Sequence, residues 1–140
     1  MADAKEIEAT VRAVRDNCDL PVFAMMTFRA NGVTYLGCSV EQGVGLLNDL
    51  EVDVLGANCS IAPADMLGVA HKILDIANCP VIIEANAGLP EIVDDKPVYA
   101  ITPAEYARGV QPIFEAGVRI LGGCCGTNPA FIAELAKLLK

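Results

Sequence analysis

Four runs of bulky apolar residues divide the sequence, and none of them alternates apolar with polar positions. They lie at residues 21–28, 52–58, 79–86 and 117–123. A strand that is buried on both faces shows such a run, because helices cover both sides of a parallel sheet. The pattern therefore predicts four parallel β-strands.

The segments between these runs have helical spacing and recognisable start signals. Ser39 with Gln42, and Thr102 with Glu105, fit the capping box, in which two side chains satisfy free N–H groups at the first turn. An opening helix is predicted over residues 3–17. These signals place one helix before the first strand and others between the strands.

Prolines and one apolar stripe support the remaining helices. Proline is tolerated in a first helical turn, and three prolines stand at such positions: Pro63, Pro103 and Pro129. The last helix is expected to continue from about Pro129 to the C-terminus. The third helix has a stripe at steps of three and four that predicts its core-facing side: Met66, Val69, Ala70, Ile73 and Ala77.

The predicted order is one helix followed by four strand–helix pairs. A spacing of about thirty residues between strands suits βαβ units with right-handed crossovers. We expect residues 1–140 to form a single α/β domain, the parallel (βα)4 half of a TIM-type (βα)8 barrel with an extra N-terminal helix. A doubly wound parallel sheet also satisfies this pattern.

Composition narrows the possible partners and the compartment. Eighteen acidic and ten basic side chains give a net charge of -8, which repels nucleic acid and anionic membranes. The charged start does not resemble a signal peptide, and no apolar run reaches the roughly 20 residues of a membrane span. We therefore expect a cytoplasmic protein with no nucleic-acid or membrane partner, in which six cysteines stay reduced.

Three of these cysteines follow predicted strands at the carboxyl ends, where parallel sheets gather their ligand sites. Cys59 follows the second strand, and the adjacent pair Cys124 and Cys125 lies between glycines after the fourth. Three thiolates in tetrahedral geometry suit zinc and leave its fourth position open. The spacing therefore predicts a zinc site. The other three cysteines are interpreted as ordinary packing residues: Cys18, Cys38 and Cys79.

Other polar residues are weaker candidates. His71 stands four residues before Asp75 on one helix, which predicts a solvated pair rather than a ligand. Glu105 is explained as a helix cap. Glu84 lies near the carboxyl end of the third strand and is a candidate for holding a substrate amine.

The chemistry of such a site points to sulfur. Zinc with three thiolates is a mild Lewis acid, and its natural use is to accept a fourth sulfur. Coordination lowers the pKa of a thiol and holds it as thiolate at neutral pH. A thiolate held in this way can attack a methyl group.

Several motifs resemble the homocysteine S-methyltransferase family, whose members include cobalamin-dependent methionine synthase and betaine-homocysteine methyltransferase. The segment at 21–28 is similar to the fifth strand of that family's barrel. The further matching motifs are GANCS at 56–60, PVIIEANAGLP at 80–90, VYAITPAEYA at 98–107 and GVRILGGCCGTNP at 117–129. The resemblance covers strands 5–8, the C-terminal half of the family's domain.

The resemblance implies a function. It assigns the catalytic zinc to Cys59, Cys124 and Cys125, and implies that Asn58 and Asn86 help to hold the site. The thiol would be homocysteine or a similar compound, and the methyl donor a methylcorrinoid protein, betaine or S-methylmethionine. The glycine-rich segment and acidic groups of the family's first four strands have no counterpart in this sequence.

Two main hypotheses follow. The first is a zinc-dependent methyltransferase component that activates a homocysteine-like thiol. The alternative is a zinc-binding half-barrel that is inactive alone and needs an N-terminal half or self-association, because edge strands near 21–28 and 117–123 would expose apolar surface. A purely structural zinc domain is the third interpretation.

Overall fold

Residues 1–138 are described in a computed structural model. Five helices are present in this range: α1 Ala4–Asn17, α2 Val40–Asp49, α3 Pro63–Leu74, α4 Pro103–Glu115 and α5 Pro129–Leu135. The strands are β1 Phe23–Met26, β2 Val54–Asn58, β3 Val81–Ala85, β4 Glu91–Val93, β5 Lys96–Val98 and β6 Ile120–Gly123. The four predicted strands are confirmed as β1, β2, β3 and β6, each shorter than its apolar run.

The main sheet is parallel and has the order β1-β2-β3-β6. Each helix contacts the next one in the chain, from α1 to α5, so all five line one face of the sheet. A doubly wound sheet would place helices on both faces. The structure therefore agrees with the half of a TIM-type barrel and excludes the doubly wound alternative.

The helix starts follow the sequence signals. Both capping boxes form, with the hydroxyls of Ser39 and Thr102 accepting from the third residue of α2 and α4. Asp3 caps α1 through its side chain, which accepts hydrogen bonds from two backbone N–H groups. Each proline that begins a helix leaves the helix's hydrogen bonds intact, because the N–H it lacks would have no partner in a first turn.

The core lies between the sheet and the helices. In α3, four residues of the predicted stripe are buried: Met66, Val69, Ala70 and Ile73. Tyr106 of α4 is fully buried, and its hydroxyl donates to the carbonyls of Ala85 and Gly122, each at 2.9 Å. These two hydrogen bonds tie the carboxyl ends of β3 and β6 together beside the candidate site.

The structure corrects two details of the prediction. Residues between β3 and α4 form an antiparallel hairpin, β4 and β5, which the sequence pattern did not predict. Its strands are three residues long and exposed, so no buried apolar run marks them. The last helix ends at Leu135 and is followed by a turn to residue 138; the final two positions lie outside the described residues.

The edge strands are β1 and β6, as the sequence predicted. Met1 covers one end of the β1 edge: its amino group donates to the Met25 carbonyl at 3.0 Å, and its carbonyl accepts from the Thr27 N–H at 2.7 Å. Phe23, on this edge strand, remains 54% exposed. None of the helices in residues 1–138 has the length and apolar character of a membrane span.

Candidate metal centre

The three predicted ligands come together at the carboxyl end of the sheet. Cys59 follows β2, while Cys124 and Cys125 follow β6. Their sulfur atoms all lie within 4.8 Å of one another, and the sulfurs of Cys59 and Cys125 are 3.4 Å apart. β3 lies between β2 and β6 in the sheet, so its carboxyl end forms the floor between the two cysteine turns.

The turn that carries Cys59 has an unusual backbone. Cys59 and Ser60 have φ angles of 62° and 68°, in the left-handed region that glycine normally occupies. The Cys59 N–H donates to the Glu84 carbonyl at 2.9 Å, and the Ile61 N–H donates back to the Cys59 carbonyl at 2.8 Å. These bonds hold a strained turn that directs the first sulfur toward the other two.

The turn that carries Cys124 and Cys125 is relieved by glycine. The Thr127 N–H donates to the Cys124 carbonyl at 3.2 Å across a four-residue turn, in which Gly126 has a φ of 82°. A β-turn of this kind requires a positive φ at its third residue, where glycine is favoured. Backbone bonds to the Ala85 carbonyl and from the Ala87 N–H, each 2.9 Å, attach the turn to β3.

Asn86 connects the two cysteine turns. It is only 5% exposed, and its Oδ1 accepts from the Cys125 N–H at 3.1 Å. Its backbone N–H donates to the carbonyl of Ile61, in the turn that carries Cys59, at 3.0 Å. The asparagine predicted near the site is therefore engaged in holding both turns, and its role toward a substrate stays a prediction.

The thiols are electrostatically coupled. Desolvation opposes ionisation of Cys59, but hydrogen bonds from Cys125, the Ser60 N–H, Cys124 and Asn86 lower its pKa. Desolvation, together with the hydrogen bond and charge of Cys59 and the charge of Cys125, raises the pKa of Cys124 to about 12. Three neighbouring thiols thus cannot all ionise alone, whereas a bound cation would favour all three thiolates.

The donor set fits a soft, tetrahedral cation. Zinc takes thiolates at about 2.3 Å, which places two sulfurs of one tetrahedron about 3.8 Å apart. The sulfurs of this cluster lie in the same range of separation. Zinc would leave a fourth position for a ligand from outside the cluster.

Asn58 and Glu84 occupy one row across the sheet, in register with Gly122. The Thr27 hydroxyl donates to the Asn58 side chain at 3.1 Å, which extends this polar row toward the β1 edge. Gly122 makes room for Glu84, since a Cβ there would lie 3.0 Å from the carboxyl oxygen. Burial raises the pKa of Glu84.

Tyr99 is a residue at the site that the sequence analysis missed. It follows the β4–β5 hairpin, and its ring lies directly against Gly126. Desolvation raises the pKa of Tyr99, and the neighbouring Cys125 adds to this through its charge and a side-chain hydrogen bond. The motif that contains Tyr99 was visible, but no periodicity brought this residue close to the cysteines.

The remaining candidates lie apart from the cluster. The three other cysteines are free and half-buried: Cys18, Cys38 and Cys79. His71 is exposed in the last turn of α3, and in the described part of the chain it forms no ion pair with Asp75. Glu105 is a helix cap, as predicted.

The fold and the site define the class of protein: a half-barrel of parallel strands with a cluster of three cysteine thiols at its carboxyl rim. The family model described as Homocysteine S-methyltransferase matches residues 1–139. The chain belongs to this family.

Relatives known from sequence are much longer. Methionine synthase of Mycobacterium tuberculosis (strain ATCC 25618 / H37Rv) is 36% identical over 118 residues, which are 84% of this chain and 10% of that protein. Methionine synthase of Mycobacterium leprae (strain TN) is 35% identical over 118 residues, with the same coverage. The chain thus spans about a tenth of these relatives' length.

Solved structures show the same fold over nearly the whole chain. The apo form of the homocysteine methyltransferase MmuM from Escherichia coli superposes with a TM-score of 0.74 at 26% identity, covering 98% of this chain and 47% of that one. Its metallated form gives 0.72 at 24% identity, covering 98% and 42%. The chain therefore corresponds to somewhat less than half of that enzyme.

Proposed function

We propose that this chain binds zinc through Cys59, Cys124 and Cys125 and presents a homocysteine-like thiol for methylation. The observation that supports this proposal best is the cluster of three sulfurs within 4.8 Å at the carboxyl rim of the sheet. Membership of the homocysteine S-methyltransferase family supports the same reaction.

The chain's own residues prepare the site for this chemistry. Asn86 and the backbone bonds to β3 fix the two cysteine turns before a substrate arrives. When bound, zinc would lower the pKa of the incoming thiol and hold it as thiolate. The substrate sulfur then forms a bond to the methyl carbon while the bond between methyl and donor breaks, and the thiol proton has already left to water.

The polar row beside the cysteines suits the amino acid part of such a substrate. Burial raises the pKa of Glu84 because it removes water from the carboxylate, and no positively charged group within residues 1–138 offsets this loss. An ammonium group would supply the missing positive charge. We propose Glu84 as the partner of the substrate amine, with Asn58 and Asn86 as neighbouring polar residues that orient the substrate. The methyl donor is proposed to be a methylcorrinoid protein or another compound with an activated methyl group.

A specific observation favours the second candidate function, a half-barrel that needs a complementary half. Within residues 1–138, five helices flank four sheet strands, so two copies would bring ten helices to eight strands. In a two-copy barrel, α5 of the second copy would need the place beside β1 that α1 occupies. The helix count therefore supports a partner half with four strands and three helices over a second copy of this chain.

The compartment is part of the proposal. All six cysteines are free in the structure, which suits a reducing environment such as the cytoplasm.

The test of the metal site is zinc content per chain by elemental analysis of the reduced protein. We expect one zinc per chain, its loss in Cys124→Ala, and its retention in the matched control Cys79→Ala, whose thiol lies outside the cluster. We also expect homocysteine to tighten zinc binding. A folded Cys124→Ala variant that retains the zinc would contradict the proposal.

The test of the second candidate is the mass of the protein in solution, measured by light scattering at micromolar concentration, together with thiol methylation by the chain alone. A zinc-loaded monomer without turnover is expected if a complementary half is required. Turnover by the isolated chain would reject that requirement.

A further inference from the structure

The backbone N–H groups of the three proposed ligands all donate to one short segment. Their acceptors belong to three consecutive residues at the carboxyl end of β3: Glu84, Ala85 and Asn86. The Cys59 N–H donates to the first carbonyl and the Cys124 N–H to the second, each at 2.9 Å. The Cys125 N–H donates to the side-chain Oδ1 of the third residue at 3.1 Å. The relative positions of the ligands therefore depend on how firmly residues 84–86 are held.

The end of β6 that leads into the ligands has no side chains of its own to hold it. It consists of Gly122 and Gly123. A Cβ at Gly122 would lie 3.0 Å from a carboxyl oxygen of Glu84. A Cβ at Gly123 would lie 2.6 Å from the Thr127 hydroxyl oxygen. These close neighbours favour glycine, and because glycine leaves the backbone more freedom than other residues, this segment needs a restraint from outside β6.

Tyr106 of α4 supplies such a restraint from the helix side of the sheet. It is fully buried, and its hydroxyl lies 2.9 Å from both the Ala85 and the Gly122 carbonyls. The Ala85 carbonyl is the same group that accepts from the Cys124 N–H. One hydroxyl thus connects the middle of residues 84–86 with the glycine pair that leads into two of the ligands.

The ring of Tyr106 is itself fixed by packing. The Phe131 ring of α5 meets it edge to face, with 5.4 Å between the ring centroids and 77° between the ring planes. Both side chains belong to the buried core. A side chain that is locked by its neighbours holds a functional group in place more precisely than one on a loop. The hydroxyl therefore has a defined position between β3 and β6.

We propose that Tyr106 is a positioning residue for the metal centre. It contributes no ligand. Instead, its hydroxyl holds residues 84–86 and the end of β6 at the spacing that lets three sulfurs bind one cation. This inference rests on the proposed zinc site and adds a residue of the core to it.

The test is the zinc affinity of Tyr106→Phe, which keeps the ring and removes the hydroxyl. Competition with a chromogenic chelator gives the dissociation constant of the reduced, folded protein. We expect the affinity to fall about tenfold, the effect of roughly one net hydrogen bond. Unchanged affinity in the folded variant would overturn the proposal.

The matched control is Ile73→Val. Ile73 is fully buried in the last turn of α3, the helix that leads into the start of β3 rather than its end. This variant should lose stability through core packing alone, with its zinc affinity unchanged. If Ile73→Val loses as much zinc affinity as Tyr106→Phe, general stability sets the affinity and the proposal is wrong.

Hydrogen exchange of the metal-free protein, followed by NMR, is a readout that needs no zinc. In Tyr106→Phe we expect the Cys124 N–H to exchange about tenfold faster, beyond any change at the Leu55 N–H. Leu55 is a suitable reference, because its N–H donates to the Pro80 carbonyl at the opposite end of the sheet. An equal change at both positions would mean a loss of overall stability and would overturn the proposal.

The proposal and the proposed function can fail separately. A wild-type protein that takes up no zinc would overturn the function, whereas exchange at Cys124 would still decide whether Tyr106 fixes that residue. If Tyr106→Phe does not fold, the wild type decides through the NMR signal of the Tyr106 hydroxyl proton. A signal protected from exchange with water supports the bridge between the two carbonyls, and its absence would overturn it.

Discussion

The two cysteine turns bring their sulfurs to the same cluster with different backbone conformations. After β6, Gly126 takes the left-handed position and its turn is relaxed. After β2, no glycine is present where one is needed, and Cys59 and Ser60 adopt positive φ angles themselves. The turn after β6 is thus relaxed because its sequence supplies a glycine. The turn after β2 is held in its conformation by the surrounding structure.

The difference shows where strain is tolerated. A non-glycine residue in the left-handed region costs of order 1–3 kcal/mol and persists only when the surrounding structure fixes it. Here the bonds from the Cys59 N–H to the Glu84 carbonyl and from the Ile61 N–H to the Cys59 carbonyl provide that restraint. A ligand side chain at position 59 excludes glycine there, because glycine has no sulfur to offer.

The largest expected effect comes from adding a methyl group to the relaxed turn. Gly126→Ala would combine an unfavourable φ of 82° with a clash against the Tyr99 ring. We expect a loss of about 2–4 kcal/mol in the free energy of unfolding of the metal-free protein. Urea unfolding followed by circular dichroism measures this loss.

Gly37→Ala is the matched control for that experiment. Gly37 has a φ of 89°, but no atom lies within 4 Å of an added Cβ. This variant should therefore lose only the backbone part of the effect. If the two variants lose the same stability, contact with Tyr99 contributes nothing and the expected clash with its ring is wrong.

A smaller effect of opposite sign is expected in the strained turn. Ser60→Gly would relieve the φ of 68° and keep the backbone N–H of this residue, which lowers the pKa of Cys59. We expect the free energy of unfolding to rise by about 0.5–1 kcal/mol. The rise is small because the greater freedom of glycine in the unfolded chain offsets part of the relieved strain. The same urea unfolding experiment measures the gain.

Asp95→Gly provides the comparison for Ser60→Gly. Asp95 has a φ of 60° in the turn of the exposed β4–β5 hairpin. Both variants should gain stability, but only Ser60→Gly should alter zinc affinity. A loss of stability in Ser60→Gly would mean that the turn is not strained and that the serine side chain itself holds it.

This contrast also explains what the sequence could predict. Gly-Gly-Cys-Cys-Gly at a strand end was a specific signal for metal ligands, because its glycines predict a turn in which both sulfurs can point inward. Cys59 was the weaker prediction, since nothing local announced that it would take a left-handed conformation. The four strands and the capped helices were predictable, because burial and capping leave periodic marks in the sequence.

The missed features share a physical cause. Tyr99 and the β4–β5 hairpin belong to an excursion whose strands are short and exposed, so neither burial nor alternation identifies them. The position of Tyr99 depends on a contact with Gly126 that is distant in sequence. Such contacts follow from the fold as a whole and have no local pattern.

The smallest expected effect concerns Glu84, whose carbonyl holds the strained turn and whose side chain lies over Gly122. Burial raises the pKa of this carboxyl above its usual value of 4.5. The folded protein therefore binds the proton more tightly than the unfolded chain does. The associated stability is fully present below pH 4.5 and is lost as the pH rises through the folded-state pKa.

Glu84→Gln should remove this loss, because glutamine is neutral throughout. At pH 7 we expect the free energy of unfolding of the variant to exceed that of the wild type by less than about 1 kcal/mol. This difference should vanish near pH 4. Thermal unfolding at several pH values measures it, with the exposed Glu91→Gln as control. A variant less stable than the wild type at pH 7 would mean that the carboxylate already has a partner. With zinc and homocysteine present, the wild type should be more stable than Glu84→Gln, because only the carboxylate can pair with the substrate amine.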